Sequence, residues 1–448
     1  MLPMVCFYVM ISLEEVLGGL KVIKGLFNEN CEYSPELTRH MLDVDEKMSS
    51  KEYAEEVKRG GQLTDILNWA RDESEFYSFL KGKNDLKLTD FPVMTKELLK
   101  ENYDKISVKK FDESTLHKMY TSGSTGTPFT CIQNPEKRTR HLADIKYFGA
   151  LAGYEDHTSM CYFRTYIQTT PENQAKNNIY EMDCVDLSGE KLKACLDLMA
   201  EKNSVALMGF ASTIETAVDY WLKNCENNTK IKTVITTSEA CTDILRDKLY
   251  AFFGENVTVR ARYSNEENGI MGQEIDEKGT YRLNWASYYF EVLKMDSDEP
   301  AEYGEVGRIV LTDLYNKAFP MIRYDNNDIA VMGEKDGELF PVFTEIYGRR
   351  MDNLYDTRGN IVSPFLVYRT VKMSNMVGEW QFVQETEKDF CFKIKKNDTE
   401  NEFSEKENVI KRFKEIFGED ADIRIEWVSD IPKLKSQKRK LVVSKLNK

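Results

Sequence analysis

The chain has 448 residues, of which 41% are hydrophobic and 30% are charged, and its formal net charge is −14. A chain of this length usually forms roughly two or three domains, and this composition is typical of a globular protein. The negative charge argues against a nucleic-acid-binding protein, because such proteins contact phosphates with a basic face. We therefore expect no nucleic-acid partner.

Residues 1 to 13, MLPMVCFYVMISL, are apolar. A membrane-spanning helix needs about 20 such residues, and a secretory signal begins with basic residues. We interpret the segment as a terminal stretch that packs on the domain, or as an over-long start with Met10 as the true initiator. A peripheral membrane contact is the less favoured option.

Residues 14 to 90 are charged, and their apolar residues recur at helical spacing, as they do from Leu63 to Ala70. This pattern predicts helices that cover a core. The segment FPVMTKELL (91 to 99) predicts an extended entry, a helix N-cap at Thr95 and then an amphipathic helix.

Residues 121 to 126, TSGSTG, combine four hydroxyl side chains of Thr and Ser with two glycines. Glycine lets backbone N–H groups approach an anion, and small hydroxyl side chains add donors without bulk. The segment lacks the lysine of a Walker loop and the spacing of a nucleophile elbow. By itself it fits a polar surface loop about as well as a phosphate site.

Between residues 134 and 261, predicted helices alternate with predicted strands. The helices are 134–152, 189–202, 211–225 and 241–253, and the strands are 158–164, 204–208, 231–237 and 256–261. This alternation predicts a layered α/β domain with a largely parallel sheet, whose ligands lie beyond the carboxyl ends of the strands. Two segments directly follow predicted strands there, namely Ser238 to Ala240 and Tyr263 to Glu267.

The pattern changes after residue 279. Short strands between residues 279 and 345 predict a β-rich subdomain. The last hundred or so residues predict a small α+β unit, with strands 380–384, 389–395 and 422–428 and a helix at 406–417. The tail from Lys433 to Lys448 carries seven Lys or Arg and no acid. A basic tail alone is more often a solvated end than a catalytic element.

Nine cysteines occur without a C-x-x-C pair, and four histidines occur without an H-E-x-x-H motif. This favours reduced thiols in a cytoplasmic protein over a zinc site or a disulfide framework.

Six motifs follow one another in a defined order: TSGSTGTP (121–128), SEA (238–240), YSNEE (263–267), RYDNNDIA (323–330), GRRMD (348–352) and SQK (436–438). This series resembles that of the AMP-forming, adenylate-forming ligase superfamily. The nearest branch is the phenylacetate-CoA ligase-like family with its capsule-biosynthesis relatives, which FPVMTKELL, GEVGRIVLTDL (304–314) and AFPMIRYDNNDIA (318–330) also resemble. The resemblance runs from about residue 90 to the C-terminus.

The resemblance implies an α/β fold with a large layered N-terminal domain, which includes the β-rich subdomain, and a small mobile C-terminal α+β lid. The implied boundaries are 1–347 for the adenylation domain, 348–356 for the hinge and 357–448 for the lid. A carboxylic acid would attack the α-phosphate of ATP, giving an acyl-adenylate and pyrophosphate, and coenzyme A, a carrier-protein thiol or another acceptor would then take the acyl group. The implied cofactors are ATP and Mg²⁺, a homodimer is left open, and the acid is expected to be aromatic or another small acid.

The family's roles carry over to matching positions in this sequence. The loop would hold the β- and γ-phosphates through Thr121, Ser122, Gly123, Ser124, Thr125 and Gly126. Tyr263 would stack on adenine, and Glu239 and Ala240 would edge the adenine pocket. Asp328 would bind the ribose hydroxyls, and Arg349 would support the ribose or the phosphates.

Two further roles concern charge at the phosphates. Glu267 would hold Mg²⁺, and Lys438 would bridge the substrate carboxylate and the α-phosphate. Lys433, Lys435 and Lys440 are alternative candidates for the role of Lys438. The aromatic side chains expected near the acid include those of residues 162, 163 and 210, which are Tyr, Phe and Phe.

The sequence departs from the family pattern at several positions. Ser264 and Asn327 replace glycines, Gln437 replaces the glycine before the lysine, Glu266 replaces a threonine, and Met351 stands where the hinge has an acid. Asn tolerates the left-handed conformation, whereas Gln is not favoured there. Two alternatives therefore stay open: AMP transfer to a hydroxyl, or a non-catalytic nucleotide-binding component of surface-polysaccharide assembly.

Overall fold

The structure is a computed structural model that describes residues 22–121, 129–164, 167, 169–349, 354–362, 366–367, 370–371, 374, 379–395, 406–431 and 442–446. The α-helices described over their full length are α1 Pro35–Ser49, α2 Lys51–Lys58, α3 Thr64–Glu73, α4 Lys96–Glu101, α5 Tyr103–Ile106, α6 Pro135–Leu151, α7 Pro171–Asn177, α8 Gly189–Glu201, α9 Ala211–Asn224, α10 Asp243–Phe253 and α11 Lys406–Phe417. Among the described residues, no helix combines the length and apolar content that crossing a membrane requires.

The strands are β1 His117–Thr121, β2 Phe129–Gln133, β3 Met160–Arg164, β4 Ile179–Asp183, β5 Ala206–Phe210, β6 Thr233–Thr237, β7 Thr258–Asn265, β8 Gly269–Glu274, β9 Tyr281–Leu283, β10 Tyr288–Leu293, β11 Val306–Asp313, β12 Tyr324–Gly333, β13 Val342–Arg349, β14 Leu354–Tyr355, β15 Ile361–Val362, β16 Trp380–Gln384, β17 Asp389–Lys395, β18 Asp422–Val428 and β19 Val442–Ser444.

One sheet of eleven strands organises the chain up to β13, in the order β10-β11-β12-β13-β9-β8-β7-β6-β5-β3-β4. The half from β7 to β4 is parallel, and the half from β8 to β10 is antiparallel. The predicted layered α/β fold with its β-rich stretch is therefore confirmed, and the β-rich stretch extends the parallel strands within the same sheet.

The inner strands of the parallel half, β3, β5 and β6, are largely buried. All five residues of β6, TVITT, are buried, as expected for a strand covered on both faces. The helices α8, α9 and α10 pack a shared apolar core against one face of this half, with Trp221 of α9 fully buried. The predicted helices and strands agree with the observed ones to within a few residues at each end.

Two differences from the prediction bear on the site. Strand β7 continues through Tyr263 to Asn265, because its last residues pair with β8 in a hairpin. The edge strand β4 and the polar helix α7, PENQAKN, were not predicted, because α7 has no buried residue and so has no apolar stripe. The N-cap at Thr95 is confirmed, since its hydroxyl accepts a hydrogen bond from the Leu98 N–H at 3.3 Å.

Residues after β13 form a second core with its own sheet, in the order β18-β17-β16-β19. Helix α11 buries Val409, Phe413 and Phe417 against this sheet. Phe413 and Phe417 both contact the ring of Phe382 in β16, with centroids 4.7 and 5.3 Å away. The predicted α+β unit is confirmed, while the hinge boundaries and the mobility of the unit stay predictions.

Helix α6 carries buried charges that attach it to its neighbours. Lys137 and Asp313 of β11 are both fully buried, and Lys137 Nζ lies 2.7 Å from Asp313 Oδ2. Arg140, also fully buried, pairs with Asp43 of α1 and donates to Ser287 at 2.7 Å. These contacts fix α6 between the antiparallel strands and the N-terminal helices.

Replacing Lys137 with Met should destabilise the protein by about 3 to 5 kcal/mol, because Asp313 would remain as a buried charge without its partner. Urea unfolding followed by circular dichroism would measure the change. The matched control is Lys193→Met, which removes a lysine from a solvent-exposed ion pair with Asp197 and should leave the unfolding midpoint unchanged. Equal midpoints for the wild type and Lys137→Met would contradict the structural role of the buried pair.

Candidate functional site

The carboxyl end of β6 leads into the predicted Ser238–Ala240 segment. Ser238 adopts a left-handed backbone with φ of +66°, which turns the chain sharply after Thr237. The Glu239 carboxylate accepts a hydrogen bond from the Ser212 N–H at 2.8 Å, so it caps the start of α9. Ala240 is exposed at the same edge. The segment predicted to edge the adenine pocket therefore lies at the end of a strand. There the Glu239 side chain caps helix α9.

The residues predicted to bind adenine and ribose contact each other. The Tyr263 hydroxyl donates to Asp328 Oδ2 at 2.8 Å, and Asn326 Nδ2 donates to the Tyr263 hydroxyl oxygen at 2.7 Å. Burial and the neighbouring Asp328 carboxylate raise the pKa of Tyr263 well above its ordinary value. The phenol therefore stays protonated and holds the carboxylate in one orientation.

The turn at Asn327 presents Asp328. Asn327 has a φ of +66°, and its N–H donates to Asp325 Oδ1 at 3.0 Å. The Asp328 N–H donates to Asn326 Oδ1 at 3.0 Å. Asp328 also pairs across the sheet with Arg349 of β13, so the backbones of these two predicted site residues are adjacent.

Glu267, the predicted Mg²⁺ ligand, is 6% exposed and lies in the turn between β7 and β8. Its Oε1 accepts from Lys96 Nζ at 2.7 Å, with the Tyr324 hydroxyl 3.5 Å away. Its backbone carbonyl accepts from Gln133 Nε2 at 3.5 Å. Within the described residues, no group of three or more His, Cys, Asp or Glu could hold a metal ion.

The glycine loop joins β1 to β2, which form an antiparallel hairpin with Thr121 opposite Phe129. The two ends of the loop are therefore adjacent, while Ser122, Gly123, Ser124, Thr125 and Gly126 lie outside the described residues. Lys96 Nζ is 5.6 Å from the centroid of the Phe129 ring. The Lys96–Glu267 pair thus lies beside the point where the loop ends.

Lys96 contacts the predicted Mg²⁺ ligand Glu267, a contact that the sequence analysis does not predict. It occupies the first position of α4 after the Thr95 cap. The Met94 N–H donates to the Arg323 carbonyl at 2.8 Å, and the Asp325 N–H donates to the Met94 carbonyl at 2.9 Å. These bonds attach the start of α4 to β12. In the sequence, the polar residues TKE interrupt an otherwise apolar segment, and this interruption is the signal that could have drawn attention to Lys96.

The remaining predicted residues fall into two groups. Lys438 and its rivals Lys433, Lys435 and Lys440 lie outside the described residues. Of the aromatic residues expected around the acid, Tyr162 and Phe210 are half-buried. Phe163 is 1% exposed and packs in the core beneath α8 and α9 instead, because its side chain points to the opposite face of β3 from Tyr162.

The large mixed sheet followed by a small α+β unit is the fold of the adenylate-forming ligases, so the fold that the resemblance implies is confirmed. Residues 354–445 match the family model of the CapK C-terminal domain. The region after β13 is therefore similar to that domain.

Solved structures agree with this fold. A 2-hydroxyisobutyryl-CoA ligase in its postadenylation state aligns with a TM-score of 0.67 and 15% identity, over 93% of this chain and 94% of that one. The anthranilate CoA ligase AuaEII with anthranoyl-AMP gives 0.51 and 13%, over 74% and 67%. ATP-bound MatB from Rhodopseudomonas palustris gives 0.50 and 15%, over 72% and 66%. No curated protein sequence matches the chain significantly.

Asn327→Gly should fold about as stably as the wild type, whereas Asn327→Ala should lose about 1 kcal/mol, because alanine is strained at a positive φ that glycine adopts freely. Chemical unfolding of both variants would measure the difference. An alanine variant as stable as the glycine variant would contradict the left-handed turn that presents Asp328.

Proposed function

We propose that the protein activates a small carboxylic acid with ATP, forming an acyl-adenylate and releasing pyrophosphate. The observation that carries the proposal is the grouping of Tyr263, Asp328 and Glu267 beside the hairpin that contains the glycine loop. These residues are distant in sequence, yet Tyr263 and Asp328 are hydrogen-bonded and Glu267 lies next to the loop's end. The similar structures that hold acyl-AMP or ATP support the same assignment.

The nucleoside would bind at the end of β7. The Tyr263 ring would stack on adenine, and the Asp328 carboxylate would accept hydrogen bonds from the ribose hydroxyls. The Tyr263–Asp328 hydrogen bond orients the carboxylate before the nucleotide arrives, which reduces the entropy lost on binding. Arg349, opposite Asp328 on β13, would approach the ribose or the phosphates from the neighbouring strand.

The phosphates would lie between the glycine loop and Glu267. Mg²⁺ commonly takes one or two carboxylates and completes its shell with phosphate oxygens and water, so the single carboxylate of Glu267 fits such a site. When bound, Mg²⁺ would neutralise negative charge on the phosphates. Lys96, which now pairs with Glu267, is within reach of the same charges.

In the reaction, a carboxylate oxygen of the acid forms a bond to the α-phosphorus while the bond to the pyrophosphate oxygen breaks. Lys438 would stabilise both the carboxylate and the α-phosphate, because a lysine ammonium is a compact charge on a flexible stem. Strand β19 begins at Val442, pairs in parallel with β16 and anchors the chain just after this lysine. The unit that follows β13 would then turn to admit the acceptor, a hinge motion that the fold allows.

Coenzyme A is the first acceptor to test, because the similar structures include ligases named for it. The CapK domain favours a role in surface-polysaccharide assembly, in which a carrier-protein thiol, an amine or a sugar hydroxyl could receive the acyl group. Aromatic and aliphatic acids should both be tried, since the half-buried Tyr162 and Phe210 leave either open.

A non-catalytic nucleotide binder is the second candidate, and the Lys96–Glu267 pair favours it, because a neutralised carboxylate has less need of a metal ion. Calorimetric ATP titration would reveal binding without turnover. Transfer of AMP to a hydroxyl would appear as a stable AMP-modified product in a mass spectrum.

Lys438→Ala should lower acid-dependent exchange of labelled pyrophosphate into ATP on the order of 100-fold or more, because the charge that stabilises the reacting groups is lost. The panel should include aromatic, aliphatic and amino acids. Alanine variants of Lys433, Lys435 and Lys440 are the matched controls and should retain exchange. Full activity in Lys438→Ala with loss in one control would move the role to that lysine.

Glu267→Gln should raise the Mg²⁺ concentration needed for half-maximal exchange by roughly tenfold or more, because the amide is a weaker ligand for a hard cation. Exchange measured over a Mg²⁺ series at fixed ATP would give this value. The control Glu201→Gln changes an exposed glutamate at the end of α8 and should leave the curve in place. Superimposable curves for Glu267→Gln and the wild type would remove Glu267 from the metal site.

A further inference from the structure

Arg262 is a buried cation without an acidic partner among the residues that the structure describes. Its side chain lies at the carboxyl end of β7, and the residue is 9% exposed. Its Nε donates to the neutral Gln273 Oε1 at 3.2 Å, and its Nη1 lies 3.8 Å from Met208 Sδ. Across the described part of the chain, no carboxylate lies within ion-pair distance of this guanidinium. Burial alone lowers the pKa of Arg262 to about 10, so it stays charged at neutral pH.

The other buried arginines of the large domain are all neutralised. Their nearest carboxylates are Asp43 for Arg140, Glu274 for Arg246, Asp325 for Arg308 and Glu291 for Arg323. A buried charge without a counter-charge costs several kcal/mol, and ion pairing is how the rest of this molecule removes that cost. Arg262 therefore differs from the arginines that hold the fold together.

The surroundings of Arg262 add positive charge. Arg138 of α6 is half-buried and likewise has no carboxylate within ion-pair distance among the described residues. Both arginines lie close enough to His141 to depress its pKa, which burial and these charges bring to about 3. His141 is therefore neutral at physiological pH. Arg262 and Arg138 are thus two cations near His141 that a bound anion would neutralise.

The position of the Arg262 side chain relates it to the acid rather than to the nucleotide. Successive side chains on a strand point to opposite faces, so Arg262 and Tyr263 project in opposite directions. Tyr263 faces Asp328, where the nucleoside would bind. Arg262 faces Met208 and Tyr162 on the parallel strands, next to the half-buried aromatic residue Phe210 at the end of β5.

We propose that Arg262, supported by Arg138, binds a second anionic group on the acid, so that the substrate is a dicarboxylic acid. The proposal rests on the proposed adenylation function and names its substrate class. One carboxylate would react with ATP, and the other would pair with the Arg262 guanidinium, whose planar fork matches a carboxylate in two parallel hydrogen bonds.

The test compares matched acids in wild type, Arg262→Met and Arg262→Lys. The pairs are succinate with butanoate, glutarate with pentanoate, and isophthalate with 3-methylbenzoate. Pyrophosphate exchange gives kcat/KM, and calorimetry in the presence of a non-hydrolysable ATP analogue gives acid affinity without turnover. Arg260→Met is the matched control, because Arg260 is two residues earlier on β7 and donates to the Val259 carbonyl.

In the wild type, at least one diacid should bind and react better than its monoacid partner. Arg262→Met should weaken that diacid by roughly 10- to 100-fold, the loss expected for a charged hydrogen bond, while the monoacid stays within about twofold. Arg262→Lys should recover part of the loss, and Arg260→Met should match the wild type.

Two outcomes would overturn the inference. In the first, monoacids support pyrophosphate exchange at the same rate as diacids, and Arg262→Met changes neither rate. This result would leave the adenylation proposal intact and contradict the proposed second anionic group. In the second, no diacid binds to any form of the protein. If a diacid binds in a manner that depends on Arg262 but supports no pyrophosphate exchange, the result would support the diacid site and count against adenylation. The experiment can therefore reject either proposal without rejecting the other.

Discussion

The position of helix α6 depends on charges that are buried in pairs. Lys137 and Arg140 are fully removed from water, and each would cost several kcal/mol without its acidic partner. Their partners lie on α1 and β11, so α6 is stable in one register against both. Strand β2 runs directly into α6, and Asn134 between them accepts hydrogen bonds from the backbone at Lys317. The same contacts therefore place the hairpin of the glycine loop.

Arg323, directly before β12, is also held by a buried ion pair. It adopts a φ of +52°, a conformation that is strained for a side chain of this size, and its guanidinium is held by Glu291 at 3.0 Å. Its carbonyl accepts from Met94, two residues before Lys96. The backbone hydrogen bond between Arg323 and Met94 thus holds the N-terminal region against the main sheet. This contact places Lys96 beside Glu267.

The sequence predicts much of the fold, because apolar periodicity is local. Helix α11 and strands β16, β17 and β18 have the predicted bounds. The site is only partly predictable. The turn at Asn327 could be expected from asparagine's tolerance of a positive φ, but the Lys96–Glu267 contact spans 171 residues and leaves no local pattern. That Arg262 has no carboxylate partner within the described part of the chain is visible only once its neighbours are placed.

The Lys96–Glu267 pair also bears on how a nucleotide could bind at low cost. Glu267 is almost fully buried, and a carboxylate in that environment needs a cation at all times. Lys96 supplies it when the site is empty of metal. If Mg²⁺ arrives with ATP, one cation replaces another at Glu267, and the displaced ammonium finds new anions in the phosphates. Binding would then exchange ion pairs without leaving any buried charge alone, and the carboxylate that we propose as a metal ligand would be held in place before the substrate enters.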